Sequence, residues 1–357
     1  MQLSIEPLTL YLQPEPAHGI ASVRLSDHSS KSDHSTGSVL WVKIKAEGEE
    51  GWGEACPFEI ENVSQALPEL REALSSLMPV LDPLSPWDRQ AVDHLMNKQR
   101  IPSAARAAVD MALYDWMGKI LGYPLWKIWG LDRSRIPAMT VTIDHLAPEA
   151  VQAQAQVWIQ TAQAQAFKIK LGHPSGIRLD QERVIALQEV IPLGSVITAE
   201  AVGRWPLQEA LIMGDWLAGQ GVECIEQPLP RGQEAELVEI WHRCPLPVFI
   251  DESFFISRDL PLLVDRIRGV TIKLMKTGGL TEALRVIHTA RAHDLKVMLS
   301  SFQQSTLGNT AATHLTALVD YVDLDSHLHW RNDPFKGATF KQGVLLPSDL
   351  SGLGVTV

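Results

Sequence analysis

The sequence predicts an α/β protein: a parallel β/α barrel preceded by a smaller α+β domain. Three observations predict it. The chain has 357 residues, 45% hydrophobic and 20% charged, enough for one barrel-sized domain plus a smaller one. From Met139 onward, short apolar segments alternate with helical ones: MTVTI, FKIKL, SVITAE, VECIEQP, LPVFIDE, GVTIKL, KVMLSS and YVDLD. A polar residue closes each segment, namely Thr142, Lys170, Glu200, Glu226, Asp251, Lys273, Ser301 and Asp325. From Lys170 the steps are 30, 26, 25, 22, 28 and 24 residues, the period of one βα unit.

Residues 2–12 alternate as a strand. A polar run follows from His18 to Ser38, and within it residues 26–38 are rich in His and Ser. Such a segment buries little and reads as a loop, either a plain hairpin connection or a lid over a site. Its Asp27-His28 and Asp33-His34 pairs are a weak metal signal. Val39–Ile44 is a second strand, and GWGEACP, Gly51 to Pro57, ends a third. From Asn62 to Gln99 the pattern is helical, broken by prolines between Leu81 and Pro86. Ser103 to Leu121 is the clearest helix: Val109, Ala112, Leu113, Trp116 and Ile120 fall on one face, Ser103 is placed as N-cap, and Gly122 with Pro124 stops it. The last segment, Gly337 to Val357, reads as strands and turns that pack back on the first domain.

The net charge of −11 argues against a general nucleic-acid binder and fits a cytoplasmic enzyme. Cys56, Cys224 and Cys244 show no C-x-x-C spacing, which suits reduced thiols. The start lacks a signal-peptide pattern, and no run of 18 apolar residues would span a membrane.

Chemistry concentrates where barrel enzymes keep it, at the C-terminal ends of the strands. In FKIKLG, Lys168 and Lys170 are two apart on a buried strand, so both ammonium groups point the same way. Two cations on one buried face need acids or an anion opposite. Glu200, Glu226 and Asp251 close three successive strands, and three converging carboxylates repel unless a cation neutralises them. Oxygen ligands of this kind suit Mg2+ better than Zn2+. Lys170 precedes the acidic strands and Lys273 follows them. With Lys168 as a neighbouring cation, Lys170 is expected to have a lowered pKa and to serve as a base. A metal between two lysines fits α-proton abstraction through a metal-stabilised enediolate. Racemisation or epimerisation follows if the second lysine returns the proton, cycloisomerisation or β-elimination if it only stabilises charge. Lys276, three residues past Lys273, reads as structural or solvent-facing.

These segments resemble the enolase superfamily, in its muconate-lactonizing-enzyme subgroup. GWGEACP, AARAAVDMALYDWMGKILGYPLWKIWG, FKIKLG, IEQPLP, FIDES, VTIKLMKTGGLTEAL and GLGV carry the resemblance over nearly the whole chain. It implies a modified TIM barrel, (β/α)7β, over residues 111–330, with an α+β capping domain over 1–110 completed by 331–357. Within the subgroup, the Asp323 and Asp325 pair of YVDLDS is similar to that of dipeptide epimerases. The resemblance then implies Lys170 and Lys273 as the acid/base pair, Lys168 assisting, and Mg2+ on Glu200, Glu226 and Asp251. Thr142 and Ser301 contact the substrate, while Asp323 and Asp325 hold the dipeptide's α-ammonium. The implied reaction inverts the α-carbon of the C-terminal residue by 1,1-proton transfer. A homo-oligomer is compatible with the class.

Several residues depart from the family pattern. Glu200-Ala201-Val202 stands where Asp-Ala-Asn is usual, and Val202 offers the metal site no polar support. The stretch from Asp251 to Lys273 is two residues short, Gln304 replaces a common Glu, and His327 and His329 replace apolar residues. These departures keep sibling reactions open: N-acylamino acid racemisation, o-succinylbenzoate synthesis and muconate cycloisomerisation. A non-catalytic dipeptide-binding barrel with a degraded metal site is the reading of a different class. Arg24, in the lid, is either solvated or selects an acidic side chain.

Overall fold

The computed structural model describes residues 1–11 and 36–357. The expected lid falls outside them up to Ser35, as do Arg24, Asp27, His28, Asp33 and His34. The chain opens with an antiparallel sheet of β1 (Gln2–Tyr11), β2 (Thr36–Ala46) and β3 (Glu49–Ala55), in that order. Alternation along β2 turns Leu40, Val42 and Ile44 into the core. A small hairpin, β4 (Phe58–Ile60) and β5 (Val63–Gln65), leads to α1 (Leu67–Leu81) and α2 (Arg89–Lys98). In α1, Leu70, Leu74, Leu77 and Leu81 repeat at helical spacing and are fully buried, and a proline in the first turn costs no hydrogen bond there.

Helix α3 (Ser103–Leu121) lies across this sheet and is buried on nearly every side rather than on one face; Ile120 is half-exposed. Ser103 is its first helical residue, not its cap. The capping falls to Gln65, which is distant in sequence: its Oε1 accepts from Ala104 N at 2.9 Å and its Nε2 donates to Ser103 Oγ at 2.9 Å. Gly122, at φ 74°, ends the helix as expected. The sheet approaches α3 through Gly51 and Gly53, where a Cβ would stand 2.0 Å from Ala112 O and 1.9 Å from Ala108 O. Only glycine allows that approach.

After α4 (Leu125–Ile128) the barrel begins. Its strands are β6 (Thr140–Ile143), β7 (Ala166–Lys170), β8 (Val196–Glu200), β9 (Ile225–Glu226), β10 (Val248–Ile250), β11 (Gly269–Lys273), β12 (Lys296–Ser300) and β13 (Tyr321–Asp323), all parallel and in sequential order. A bridge from Met139 to Val322 closes the ring. The outer helices are α5 (Pro148–Ala162), α6 (Ile177–Gln188), α7 (Leu207–Gly219), α8 (Leu237–Arg243), α9 (Leu274–Thr277), α10 (Leu280–Ala292) and α11 (Thr306–Thr313). Between β10 and β11 a 3-10 turn, Ser257–Leu262, replaces the helix, which accounts for the short step from Asp251 to Lys273.

The chain closes with the hairpin of β14 (Thr339–Lys341) and β15 (Val344–Leu346). Phe335 packs on Trp41 with ring centroids 4.3 Å apart. Buried Asp115 on α3 accepts from Trp52 N at 2.9 Å, Lys119 Nζ at 2.7 Å and Leu353 N at 2.7 Å. One hydrophobic core runs from Val42 and Leu74 through Val109 to Val297 and Leu353. Among the described residues, no helix is long and apolar enough to cross a membrane, and all three cysteines are free thiols.

Candidate active site

Strands β7 and β11 flank the three strands that end in acids, so Lys170 and Lys273 enter the barrel mouth on either side of Glu200, Glu226 and Asp251. Phe167 and Ile169 turn outward to the helices and are fully buried, which sends Lys168 and Lys170 inward. Lys168 is 1% exposed, and its Nζ donates to Glu226 Oε2 at 2.6 Å and Asp323 Oδ2 at 2.8 Å. It braces the interior below the mouth. Burial disfavours its charge, but Asp323 and Glu226 override that and raise its pKa.

Lys170 differs from the sequence expectation. Its ion-pair partner is Asp144, at 3.2 Å, and that carboxylate raises the lysine's pKa. Burial and the Lys273 charge work in the other direction, and Asp144 with Glu200 outweighs them. Lys273 Nζ bonds Asp251 Oδ2 and lies 4.8 Å from the centroid of the Phe302 ring. Burial again opposes its charge, and Asp251 with its acidic neighbours holds it protonated. Of the two readings of Lys276, the structural one holds. It is not solvent-facing but fully buried, donating to Asp251 Oδ1 at 2.5 Å, Asp251 O at 2.6 Å and Thr271 O at 3.0 Å. Its reason is a tertiary one: α9 turns back immediately after β11 and delivers the amine under Asp251.

Three carboxylates, Glu200, Asp251 and Glu252, bring oxygens within 4.8 Å of one another. Burial works against the Asp251 charge, yet Lys273 and Lys276 hold its pKa well below the usual carboxylate range. Glu252 is pushed up to about 8, by burial and then by the Asp251 charge. Glu226 is raised by burial, partly offset by Lys168. Its Oε1 and the Oε2 of Glu252 are buried without a partner among the described residues. Orphaned carboxylate oxygens facing other acids are what a hard divalent cation satisfies, so the residues fit Mg2+.

The last strand ends in Asp323, and Asp325 follows two residues beyond it. Asp323 accepts from Lys168, from Ser300 Oγ at 2.8 Å and from Thr142 Oγ1 at 3.2 Å. Asp325 accepts from Thr142 N at 2.8 Å, and burial with the Asp323 charge lifts it to about 6. Ser301 Oγ lies 3.1 Å from Ser326 Oγ. His327 is buried against Asn309, with Nδ1 2.9 Å from Nδ2, and His329 meets Trp158 edge-on at 5.5 Å. Val202 sits at φ 51°, a left-handed conformation that β-branched side chains resist.

Asp144, Glu252 and Ser300 were not singled out from the sequence. Asp144 is adjacent to the signal, because it directly follows the last residue of β6, Ile143. Glu252 is not, since β10 ends at Ile250 and alternation no longer applies.

The chain matches the family model described as enolase C-terminal domain-like over residues 150–357 and that of the mandelate racemase / muconate lactonizing enzyme N-terminal domain over 21–130. A Roseobacter litoralis protein named hydrophobic dipeptide epimerase is 38% identical over 321 residues, covering 88% of this chain and 90% of the relative. The L-Ala-D/L-Glu epimerase of Bacteroides thetaiotaomicron is 35% identical over 317 residues, covering 88% of this chain and 80% of that one. A dipeptide epimerase of Enterococcus faecalis, solved in complex with Mg and the dipeptide L-Leu-L-Tyr, aligns with a TM-score of 0.86 at 25% identity over 100% of this chain and 99% of that chain. Two domain matches in sequence order over a closed barrel with its N-terminal sheet place this chain in the enolase superfamily, with the N-terminal domain of the mandelate racemase and muconate-lactonizing enzymes.

Proposed function

We propose that this protein is a Mg2+-dependent dipeptide epimerase that inverts the α-carbon of the C-terminal residue. The observation that carries the reading is the strand order: β7 and β11 present Lys170 and Lys273 on the two sides of the acidic strands. One lysine takes the α-proton and the other returns a proton to the opposite face, each changing role with the direction of reaction. Glu200, Glu226 through Oε1, and Asp251 would hold the cation, with Glu252 beside them. When bound, the cation supplies Lewis-acid stabilisation of the substrate carboxylate as the α-carbon gives up its proton.

Lys168 fixes Glu226 and Asp323, and Ser300 and Thr142 complete the set around Asp323. Among the described residues, the Asp325 carboxylate has a single hydrogen-bond donor, Thr142 N, and so has the greater capacity to accept the dipeptide's α-ammonium, with Asp323 behind it. Ser301 lines the mouth beside Ser326. Residues 1–110 with 331–357 act as the cap and 111–330 as the catalytic barrel; the packing of Phe335 on Trp41 supports the return of the last segment. Free thiols at Cys56, Cys224 and Cys244 support a reducing, cytoplasmic site of action.

The substrate class we propose is a dipeptide with an apolar C-terminal residue. Phe302 stacks on Phe58 with centroids 4.7 Å apart, next to the Lys273 ammonium, and gives that face of the mouth an apolar wall. The names of the relatives at 36% and 38% identity, both hydrophobic dipeptide epimerases, support the same class. The test is α-deuterium incorporation by mass shift over a dipeptide library in D2O, with and without Mg2+. Mg2+-dependent exchange confined to the C-terminal residue is expected. Exchange into none of the dipeptides sinks the reading.

A further inference from the structure

The two lysines are held differently. Lys273 is paired with Asp251, from within the acid cluster, whereas the ion-pair partner of Lys170 lies outside that cluster, on the loop after β6. That partner, Asp144, is half-exposed at its carboxylate, yet buried groups clamp its backbone on both sides. Its amide donates to Gln154 Oε1 at 3.3 Å, and its carbonyl accepts from Arg183 Nη2 at 2.7 Å. Gln154 and Arg183 are 4% and 0% exposed.

The clamp continues to the loop after β7. Arg183 meets Asp180 at 3.4 Å, and Asp180 accepts from Gly172 N at 2.8 Å and His173 N at 3.2 Å. His145 Nε2 lies 2.6 Å from Leu171 O. The loops leaving β6 and β7 are therefore one unit, which sets the position of Asp144 relative to Lys170. A buried guanidinium and a buried carboxylate are costly to place beneath a surface loop that needs only to turn. Here they fix one carboxylate opposite one amine. Lysine has a flexible four-carbon stem, and proton transfer is sensitive to small misplacements of the reacting groups.

Resting on the epimerase reading above, we infer that Asp144 is a positioning residue for Lys170, holding its amine toward one face of the α-carbon and leaving the Lys273 face unaffected. Loss of Asp144 then makes α-proton exchange from the two epimers unequal. A residue that only supported the fold would slow exchange from both.

The test follows initial α-deuterium incorporation in D2O with Mg2+ from each epimer separately, L-Leu-L-Tyr and L-Leu-D-Tyr. Lys170→Ala identifies the epimer that Lys170 serves, as the one whose exchange is lost while the other persists. Asp144→Asn and Asp144→Ser are expected to slow exchange of that same epimer by about tenfold or more and to leave the other within about twofold. Asp144→Glu is expected to restore part of the loss. Equal slowing of both epimers, or no change in either, overturns the positioning role. A wild-type enzyme that exchanges neither epimer, nor any other dipeptide of the library, overturns the epimerase reading and this inference with it.

Discussion

Lys168 Nζ and Glu226 Oε2 lie 2.6 Å apart in the barrel interior, and both side chains are 1% exposed. The pair is closed off from water and shares Lys168 with Asp323, so removing the amine takes the buried cation from both carboxylates. Lys168→Met is expected to lower unfolding free energy by about 3–5 kcal/mol, the usual cost of breaking a buried ion pair. Urea denaturation with the midpoint and slope both recorded checks this. A midpoint unchanged from wild type would falsify the bracing role.

Lys273 is expected to be indispensable for inversion but not for all proton chemistry. Lys273→Ala should lower epimerisation by about 10²- to 10⁴-fold, the range a positioned acid/base group supplies. The same variant should still exchange the α-proton of the epimer that faces Lys170. Polarimetry reads the first effect and mass shift the second. Full turnover in the variant rules out a two-lysine mechanism.

Val202 holds a left-handed backbone beside Glu200 at φ 51°. Asparagine and glycine accept that conformation far better than a β-branched residue. Val202→Asn is expected to stabilise the fold by about 1 kcal/mol, at the low end of the cost of such strain. A lower melting temperature for the variant contradicts the assignment of strain.

His314 sets an acid limit on stability. It is 1% exposed, its Nδ1 accepts from Trp126 N at 3.2 Å, and its Nε2 lies 3.0 Å from Leu353 O. That pattern needs the neutral ring, and burial pushes the pKa from 6.5 down to about 4. Between these values the unfolded chain binds the proton and the folded one does not. Stability from this group is therefore complete above pH 6.5 and is lost as pH falls toward 4. From pH 7 to pH 4.5 the wild type should lose about 2–3 kcal/mol more than His314→Gln. Parallel urea titrations at the two pH values decide it, and equal losses refute the linkage.

Much of the barrel was legible because its signals are local. Phe167 and Ile169 alternate with Lys168 and Lys170 on one strand, and Gly122 is a chemical stop for α3. What escaped was set by contacts distant in sequence. Ser103 has the right chemistry for an N-cap, but Gln65 arrives from the preceding hairpin and takes the role. Lys276 sits where a loop residue belongs, and only the tight return of α9 buries its amine on Asp251. The pKa of Lys170 moves up, not down, because the loop after β6 sets Asp144 opposite it, while Lys168 is paired with Glu226 and Asp323. The spacing of Glu200, Glu226 and Asp251 marks the acids at the ends of β8, β9 and β10, whereas the carboxylates grouped in the structure are Glu200, Asp251 and Glu252, because the chain leaves β10 one residue before Asp251.

Asp115 ties the first and last parts of the chain to a single carboxylate on α3. During synthesis, the sheet and the helix exist long before Leu353 leaves the ribosome, and until then this acid lacks one of its donors. The cap, although encoded first, thus settles into its final form late, after the barrel strands have been made. Shortening the chain by its last few residues would act at the opposite end of the sequence, loosening the very sheet with which translation began.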